Sequence, residues 1–299
     1  MSIRTKCKPL ERGRKPGVPS GLARGIERGS DPNAGSYDRS VRTAVITGGS
    51  SGIGLAVARE LKRRGGWQLV LAARGEGPLQ AAATELSATA VRCDVTEDAD
   101  VAALVAAAQA AGGCDLLVHS AGAPARAGVL DADLAVYRRA FEVNYIGLVR
   151  VATAFWPLLE ASRGRLVPVV SVAGSVALAP SAPYAAAKSA ALSWARSYGA
   201  AARAHGVAVT IVNPGPVPTP GFPQGALLRS RWGRLLTIDA DRCAERLLAA
   251  ADRRALEVYV PQWWRIATAL QGAAPTLTAR VAARAWRADP RVAPEAAPA

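Results

Sequence analysis

Val41-Arg-Thr-Ala-Val-Ile-Thr47 runs directly into Gly48-Gly-Ser-Ser-Gly52-Ile-Gly54, and that into Leu55-Ala-Val-Ala-Arg-Glu-Leu61. The first stretch is a short apolar run of β type, and the last has helical spacing. Strand, glycine-rich turn and helix therefore follow one another without a gap. Glycine lets the backbone turn sharply and lets a ligand approach where a Cβ would stand. The helix that starts there aims its N-terminal amides and positive dipole end at an anion. A dinucleotide pyrophosphate suits that arrangement.

Working outward, apolar strand candidates recur at 43–47, 68–73, 90–93, 116–120, 166–171, 208–213 and 257–260. Helical patterns fall between them at 53–64, 77–87, 98–111, a long pair over 133–163, 182–205 and 239–252. This alternation predicts an α/β fold, a doubly wound parallel sheet of Rossmann type in a single domain over 41–262. Ligands of such sheets bind beyond the C-terminal strand ends, where the strand order switches.

Tyr184-Ala-Ala-Ala-Lys188 lies in one of the helical stretches. Residues four apart share a helix face. A fixed ammonium beside a phenol favours the phenolate, so the spacing predicts a Tyr184 pKa moved down toward neutrality. Such a phenol exchanges protons in general acid–base catalysis. Every other Lys lies at or before Lys62, and the remaining basic residues are almost all Arg. A chain this biased to Arg has kept a Lys at 188.

Together these features resemble the short-chain dehydrogenase/reductase family. Its Thr-Gly-x-x-x-Gly-x-Gly motif is matched by Thr47, Gly48, Gly52 and Gly54, with Ser50, Ser51 and Ile53 inside the loop. Its Tyr-x-x-x-Lys motif is matched by Tyr184 and Lys188, and its serine, thirteen residues before the tyrosine, by Ser171. Its relay asparagine is matched by Asn144, and its acidic residue near the adenine by Asp94, followed by Val95. Ala121 and Gly122 match the close backbone approach after the fourth strand. Asn213-Pro214-Gly215 matches the loop after the sixth strand, with Val217 and Thr219 near nicotinamide and phosphate. The resemblance covers about 41 to 260.

What it implies is hydride transfer between nicotinamide and a carbonyl or secondary alcohol. Tyr184 acts as the acid, Lys188 lowers its pKa and holds the ribose, Ser171 bonds the substrate oxygen, and Asn144 holds a relay water. It also implies dimers or tetramers. The second strand ends at Ala73-Arg74, with no acidic residue to repel a ribose phosphate. An arginine fork suits phosphate, so Arg74 predicts NADP(H) over NAD(H). The alternative reading is a non-catalytic dinucleotide-binding scaffold or sensor on the same fold, against which intact Ser171, Tyr184 and Lys188 argue.

Two departures stand out. The family's Asn-Asn-Ala-Gly is His119-Ser-Ala-Gly122 here, and the lost asparagine normally ties strands together. His119 reads as a core histidine at a strand end rather than a catalytic one. Pro168 falls inside a strand that should be central, where it cannot donate a ladder hydrogen bond.

The chain of 299 residues carries 37 Lys and Arg against 23 Asp and Glu, a formal charge of +14. The arginines are spread along the chain and no nucleic-acid module is visible, so no specific nucleic-acid partner is expected. Cys7, Cys93, Cys114 and Cys243 have neither metal nor redox spacing and read as reduced thiols of a cytoplasmic protein. No metal is expected. No run is long and apolar enough to span a bilayer, and the N-terminus lacks the apolar core of a secretory signal.

Residues 1–40 read as a disordered basic tail, or as the product of a start codon assigned too far upstream. Residues 263–299 read as a helical extension. In its 276–287 stretch Leu277, Val281 and Ala285 make one face and Arg280, Arg284 and Arg287 another. That pattern fits peripheral membrane contact, closure over the substrate pocket, or packing in a dimer. Phe222, Leu227, Leu228 and Trp232 in 216–236 suggest an apolar or lipid-like substrate under a lid.

Overall fold

The computed structural model describes residues 41–127, 129, 132–176, 181–229, 231, 236–278 and 280. The N-terminal tail, Trp232 and most of the 276–287 stretch lie outside the described residues, as does the side chain of Leu227.

The chain alternates as read. β1 (Arg42–Thr47), α1 (Gly52–Arg64), β2 (Trp67–Ala73), α2 (Glu76–Leu86), β3 (Thr89–Arg92), α3 (Asp98–Ala110) and β4 (Leu116–His119) come first. Then follow α4 (Leu134–Phe141), a π turn (Glu142–Ile146), α5 (Gly147–Ser162) and β5 (Arg165–Pro168). α6 (Ala182–Arg203), β6 (Ala208–Val209), β7 (Ile211–Pro214), α7 (Gly225–Leu228), α8 (Ala240–Asp252), β8 (Glu257–Val260) and α9 (Trp264–Ala273) complete it.

The strands are parallel in the order β3-β2-β1-β4-β5-β6, and β7 pairs β8. An isolated bridge between Val169 and Val212 joins the two parts. The strands are apolar on both faces, as parallel sheets covered by helices require. Ala44 and Ile46 of β1 with Leu116 and Val118 of β4 pack toward α1, α2 and α8. Val45 and Leu117, one residue out of phase, pack toward α3, α5 and α6.

Pro168 explains why the strand expected over 208–213 is divided. Thr210 N–H donates to the Leu166 carbonyl at 2.9 Å, and Val170 N–H to the Val212 carbonyl at 2.8 Å. In that parallel register the residue between them, Pro168, would donate to the Thr210 carbonyl. It has no N–H to give, and Thr210 is the residue that separates β6 from β7. The strand expected over 166–171 accordingly ends at Pro168, and Ser171 lies beyond it.

The chain runs outward from β1 through β2 to β3, then returns to the other side of β1 as β4. A crevice opens at this switch, beyond the C-terminal ends of β1 and β4.

Candidate active site

The crevice is a cleft of about 610 Å³. Its walls gather residues that lie far apart in sequence. The β1–α1 loop and the first turn of α1 contribute Gly48, Ser50, Ser51, Gly52 and Ile53; β2 is followed by Arg74, and β3 by Asp94 and Val95. Ala121 and Gly122 follow β4, Ser171 follows β5, and α6 supplies Tyr184 and Lys188. Pro214, Gly215, Val217 and Thr219 close the far side. Of the expected site residues, Gly54 and Asn144 are the two that stand behind the wall rather than on it.

Gly48 has φ of +68°, and a Cβ there would stand 2.9 Å from the Ala121 N and the Ser120 carbonyl. The loops after β1 and β4 are thus in backbone contact at the switch point. A Cβ on Gly54 would run into the Gly48 carbonyl, so the first turn of α1 packs directly on the loop. Ser51 caps α1 without a side-chain hydrogen bond, and the first turn holds no acidic residue. The leading amides of α1 therefore remain for an anion. These features fit a dinucleotide pyrophosphate.

β1 and β4 are tied by a pair that spacing alone does not reveal. Thr47 Oγ1 and His119 Nδ1 are 3.1 Å apart, and Thr47 Oγ1 also accepts from Ala121 N–H at 3.3 Å. His119 thus supplies a cross-strand link where the resemblance expects asparagine. It is a core histidine, as read, with Nε2 unpaired among the described residues. Burial first, and the nearby Lys188 charge second, push its pKa down to about 3.

Tyr184 and Lys188 lie in the first two turns of α6, and both side chains face the cleft. Lys188 is buried; its Nζ donates to the Val169 carbonyl at 3.0 Å and lies 5.8 Å from the centroid of the Tyr184 ring. Burial pushes the Lys188 amine down to about 8. Burial also pushes the Tyr184 phenol up to about 12, and a hydrogen bond from Ser171 opposes the rise. This corrects the sequence reading, which expected the neighbouring cation to move the phenol toward neutrality. Removing charge-stabilising water outweighs a cation held nearly 6 Å from the ring.

The Ser171 oxygen accepts from Ala173 N–H at 3.1 Å. Phe222 stands against Tyr184, ring centroids 5.5 Å apart. Asn144, in the π turn, is buried. Its Nδ2 donates to the carbonyls of Ala123 and Ala140, each at 3.0 Å, and its Oδ1 accepts from Ala123 N–H at 3.2 Å.

Beyond β2 and β3, Arg74 is 64% exposed, with Nη1 3.7 Å from Asp94 Oδ2. Burial alone would raise the Asp94 carboxyl. Donors from Thr96 and the Arg74 charge outweigh it and hold the pKa below the usual value. Thr219 lies against Gly52 across the cleft, its Cγ2 3.0 Å from where a Cβ would stand.

A short chain dehydrogenase family model matches residues 42–224. The chain belongs to that family. It is an oxidoreductase of alcohol and ketone groups in a family that uses NAD(P). A putative ketoacyl reductase of Streptomyces coelicolor is 30% identical over 215 residues, 69% of this chain and 81% of the relative. The cis-4-hydroxycyclohexanecarboxylate dehydrogenase of Sinomonas cyclohexanicum is 37% identical over 185 residues, 60% of this chain and 74% of the relative. Among solved structures, a variant of actinorhodin polyketide ketoreductase with NADPH superposes with a TM-score of 0.68 at 27% identity. That match covers 76% of this chain and 98% of the ketoreductase.

Among the described residues this short-chain dehydrogenase has no cluster of His, Cys, Asp and Glu that could hold a metal. No described helix is long and apolar enough to cross a membrane. Cys93, Cys114 and Cys243 are unbridged and buried. Burial pushes the Cys93 and Cys243 thiols up to about 12.

The sequence reading missed Thr47 as a cross-strand partner and the Val169 carbonyl as the acceptor that holds Lys188. Thr47 was visible as the first residue of the glycine motif. Nothing in the sequence marks a carbonyl.

Proposed function

We propose that the protein is an NADP(H)-dependent reductase of apolar carbonyl compounds, with Ser171, Tyr184 and Lys188 as its catalytic residues and Asn144 as the relay. The observation that carries this reading is a half-buried phenol beside Ser171, with a buried amine one turn away. All three face the cleft that the glycine loop enters.

When bound, the nicotinamide supplies the hydride. At neutral pH burial keeps Tyr184 as the phenol, so it has a proton to give to a carbonyl oxygen. Ser171 uses its oxygen to accept from Ala173 N–H, and its one hydroxyl hydrogen turns from Tyr184 to the same substrate oxygen. Lys188 spends one N–H on Val169 and keeps two, one for a ribose hydroxyl and one for a water beside Asn144. Its charge favours the phenolate that forms as the proton leaves.

Asn144 Oδ1 and Lys188 Nζ both face the space beside Gly122, 3.0 and 3.6 Å from where a Cβ would stand. A water in that space accepts from Lys188 and donates to Asn144, which links the amine outward.

Arg74 follows β2 with no carboxylate in the preceding position, and its exposed guanidinium, 3.7 Å from Asp94, can turn to a 2′-phosphate. One structural relative was solved with NADPH and another with 5-hydroxy-NADP. Phe222, Val172, Pro216 and Leu236 on the wall favour an apolar substrate. The half-buried aromatic cluster of Trp156, Trp194 and Tyr198 on α5 and α6 supports assembly into dimers or tetramers across those helices.

NADPH oxidation followed across a panel of ketones and aldehydes, from short and polar to long and apolar, tests the reading. Turnover should rise with apolar bulk. A protein that binds NADPH and turns over none of them is the scaffold instead.

A further inference from the structure

Arg150 ties the π turn that carries Asn144 to the loop that carries Asp94 and Val95. It lies on α5, half-buried behind the cleft wall. Its Nη1 donates to the Val95 carbonyl at 3.0 Å and its Nη2 to Glu142 Oε1 at 3.0 Å, while Nε pairs with Asp98 on α3. The Asp98 side chain is 89% exposed, so that pair contributes little. The other two contacts reach different parts of the site.

The Glu142 contact depends on the π turn. Gly147 N–H donates to the Glu142 carbonyl, five residues back. Glu142 and Arg150 are eight residues apart. In an unbroken α-helix they would point about 80° apart, but the π turn takes up one extra residue, so the two stack on one side, two turns on. Their ion pair therefore favours the π turn over a plain helix.

That turn decides what reaches the cleft. Val143 lines the wall, and Asn144 is buried behind it with its amide held by Ala123 and Ala140. Gly147, the residue after the turn, rests on Val95; a Cβ there would stand 2.8 Å from Val95 Cγ2. Val95 also lines the wall, beside Asp94. Arg150 thus holds both sides of this contact, Val95 by its carbonyl and the turn by Glu142.

We propose, on the reading of Asn144 as the relay, that Arg150 is a positioning residue: one guanidinium sets Asn144 for proton transfer and Val95 for the cofactor. The test measures kcat, with the ketone turned over best in the panel above, and the Kd for NADPH by cofactor fluorescence. Arg150→Met keeps the apolar stem and removes every donor. Its kcat should fall about tenfold and its Kd rise about fivefold, since displacement by an ångström costs up to about a hundredfold. Glu142→Ala frees the turn and spares the Val95 bond, so kcat should fall about fivefold with Kd unchanged. Arg150→Lys, the milder change, should follow Arg150→Met at smaller amplitude.

The deciding measurement is the same set of substitutions made on Asn144→Ala. A residue that acts through Asn144 has nothing left to act on there, so kcat should fall no further, while the rise in Kd should persist. A kcat that falls as far on Asn144→Ala as on wild type would overturn the proposal and make Arg150 a general support of the fold. Unchanged constants in Arg150→Met and Arg150→Lys would overturn it too. Asn144→Ala with the wild-type kcat would show that the relay reading had failed, and the positioning role would fall with it.

Discussion

Lys188 Nζ donates to the Val169 carbonyl at 3.0 Å, from a pocket that lowers the amine pKa to about 8. Val169 N–H in turn donates to the His119 carbonyl at 2.9 Å, so the sheet itself fixes where the ammonium sits. The group is charged below about pH 8 and neutral above it. Reduction needs that charge to favour the departing phenolate. The expected profile of kcat/KM for carbonyl reduction, which reports the free enzyme, is a plateau at neutral pH and a fall as pH rises through about 8. A plateau that continues unbroken to the alkaline end of the scan would remove Lys188 from the proton chemistry.

Tyr184→Phe keeps the ring and its contact with Phe222 while it removes the proton. Turnover should fall at least about a hundredfold. NADPH affinity, followed by cofactor fluorescence, should stay within a few fold, because the glycine loop and Arg74 are untouched. Near-normal turnover in the variant would place the acid elsewhere.

Arg74→Ala separates the two cofactors. A lost charge-assisted hydrogen bond costs about 1.5–3 kcal/mol, or roughly ten- to a hundredfold. That loss should appear in kcat/KM for NADPH and leave NADH nearly unaffected. Equal losses with both would mean that Arg74 acts through Asp94, 3.7 Å away, rather than through a phosphate.

How much of this was legible beforehand depended on the kind of information each residue carries. Gly48 and Gly54 could be read because no other residue fits where they sit, and such positions leave a mark in the sequence. The Tyr184–Lys188 face could be read because helix periodicity is local. The direction of the Tyr184 pKa could not, because spacing records the neighbouring charge and not the water that folding removes. The Thr47–His119 link joins residues 72 apart, and only the register of β1 against β4 brings them together. Pro168 announced an irregular strand, yet the break appears at Thr210, on the strand that lost its donor.

His119 leads to a prediction about stability. Its folded pKa is depressed from 6.5 to about 3, so the unfolded chain binds a proton that the folded chain refuses. The sign follows from linkage. This contribution is fully present above pH 6.5 and is lost progressively as pH falls toward 3. At two pH units below the unfolded value the loss is roughly 3 kcal/mol. In a domain of this size that is roughly 5–10 °C in Tm. His119→Asn keeps a polar partner for Thr47 and has nothing to titrate in that window. The fall in Tm between neutral pH and about pH 4.5 should therefore be shallower in the variant by roughly that amount, whatever its Tm at neutral pH. Parallel curves for the two proteins would mean that His119 takes up its proton in the folded state, and that the pocket around Nε2 admits water.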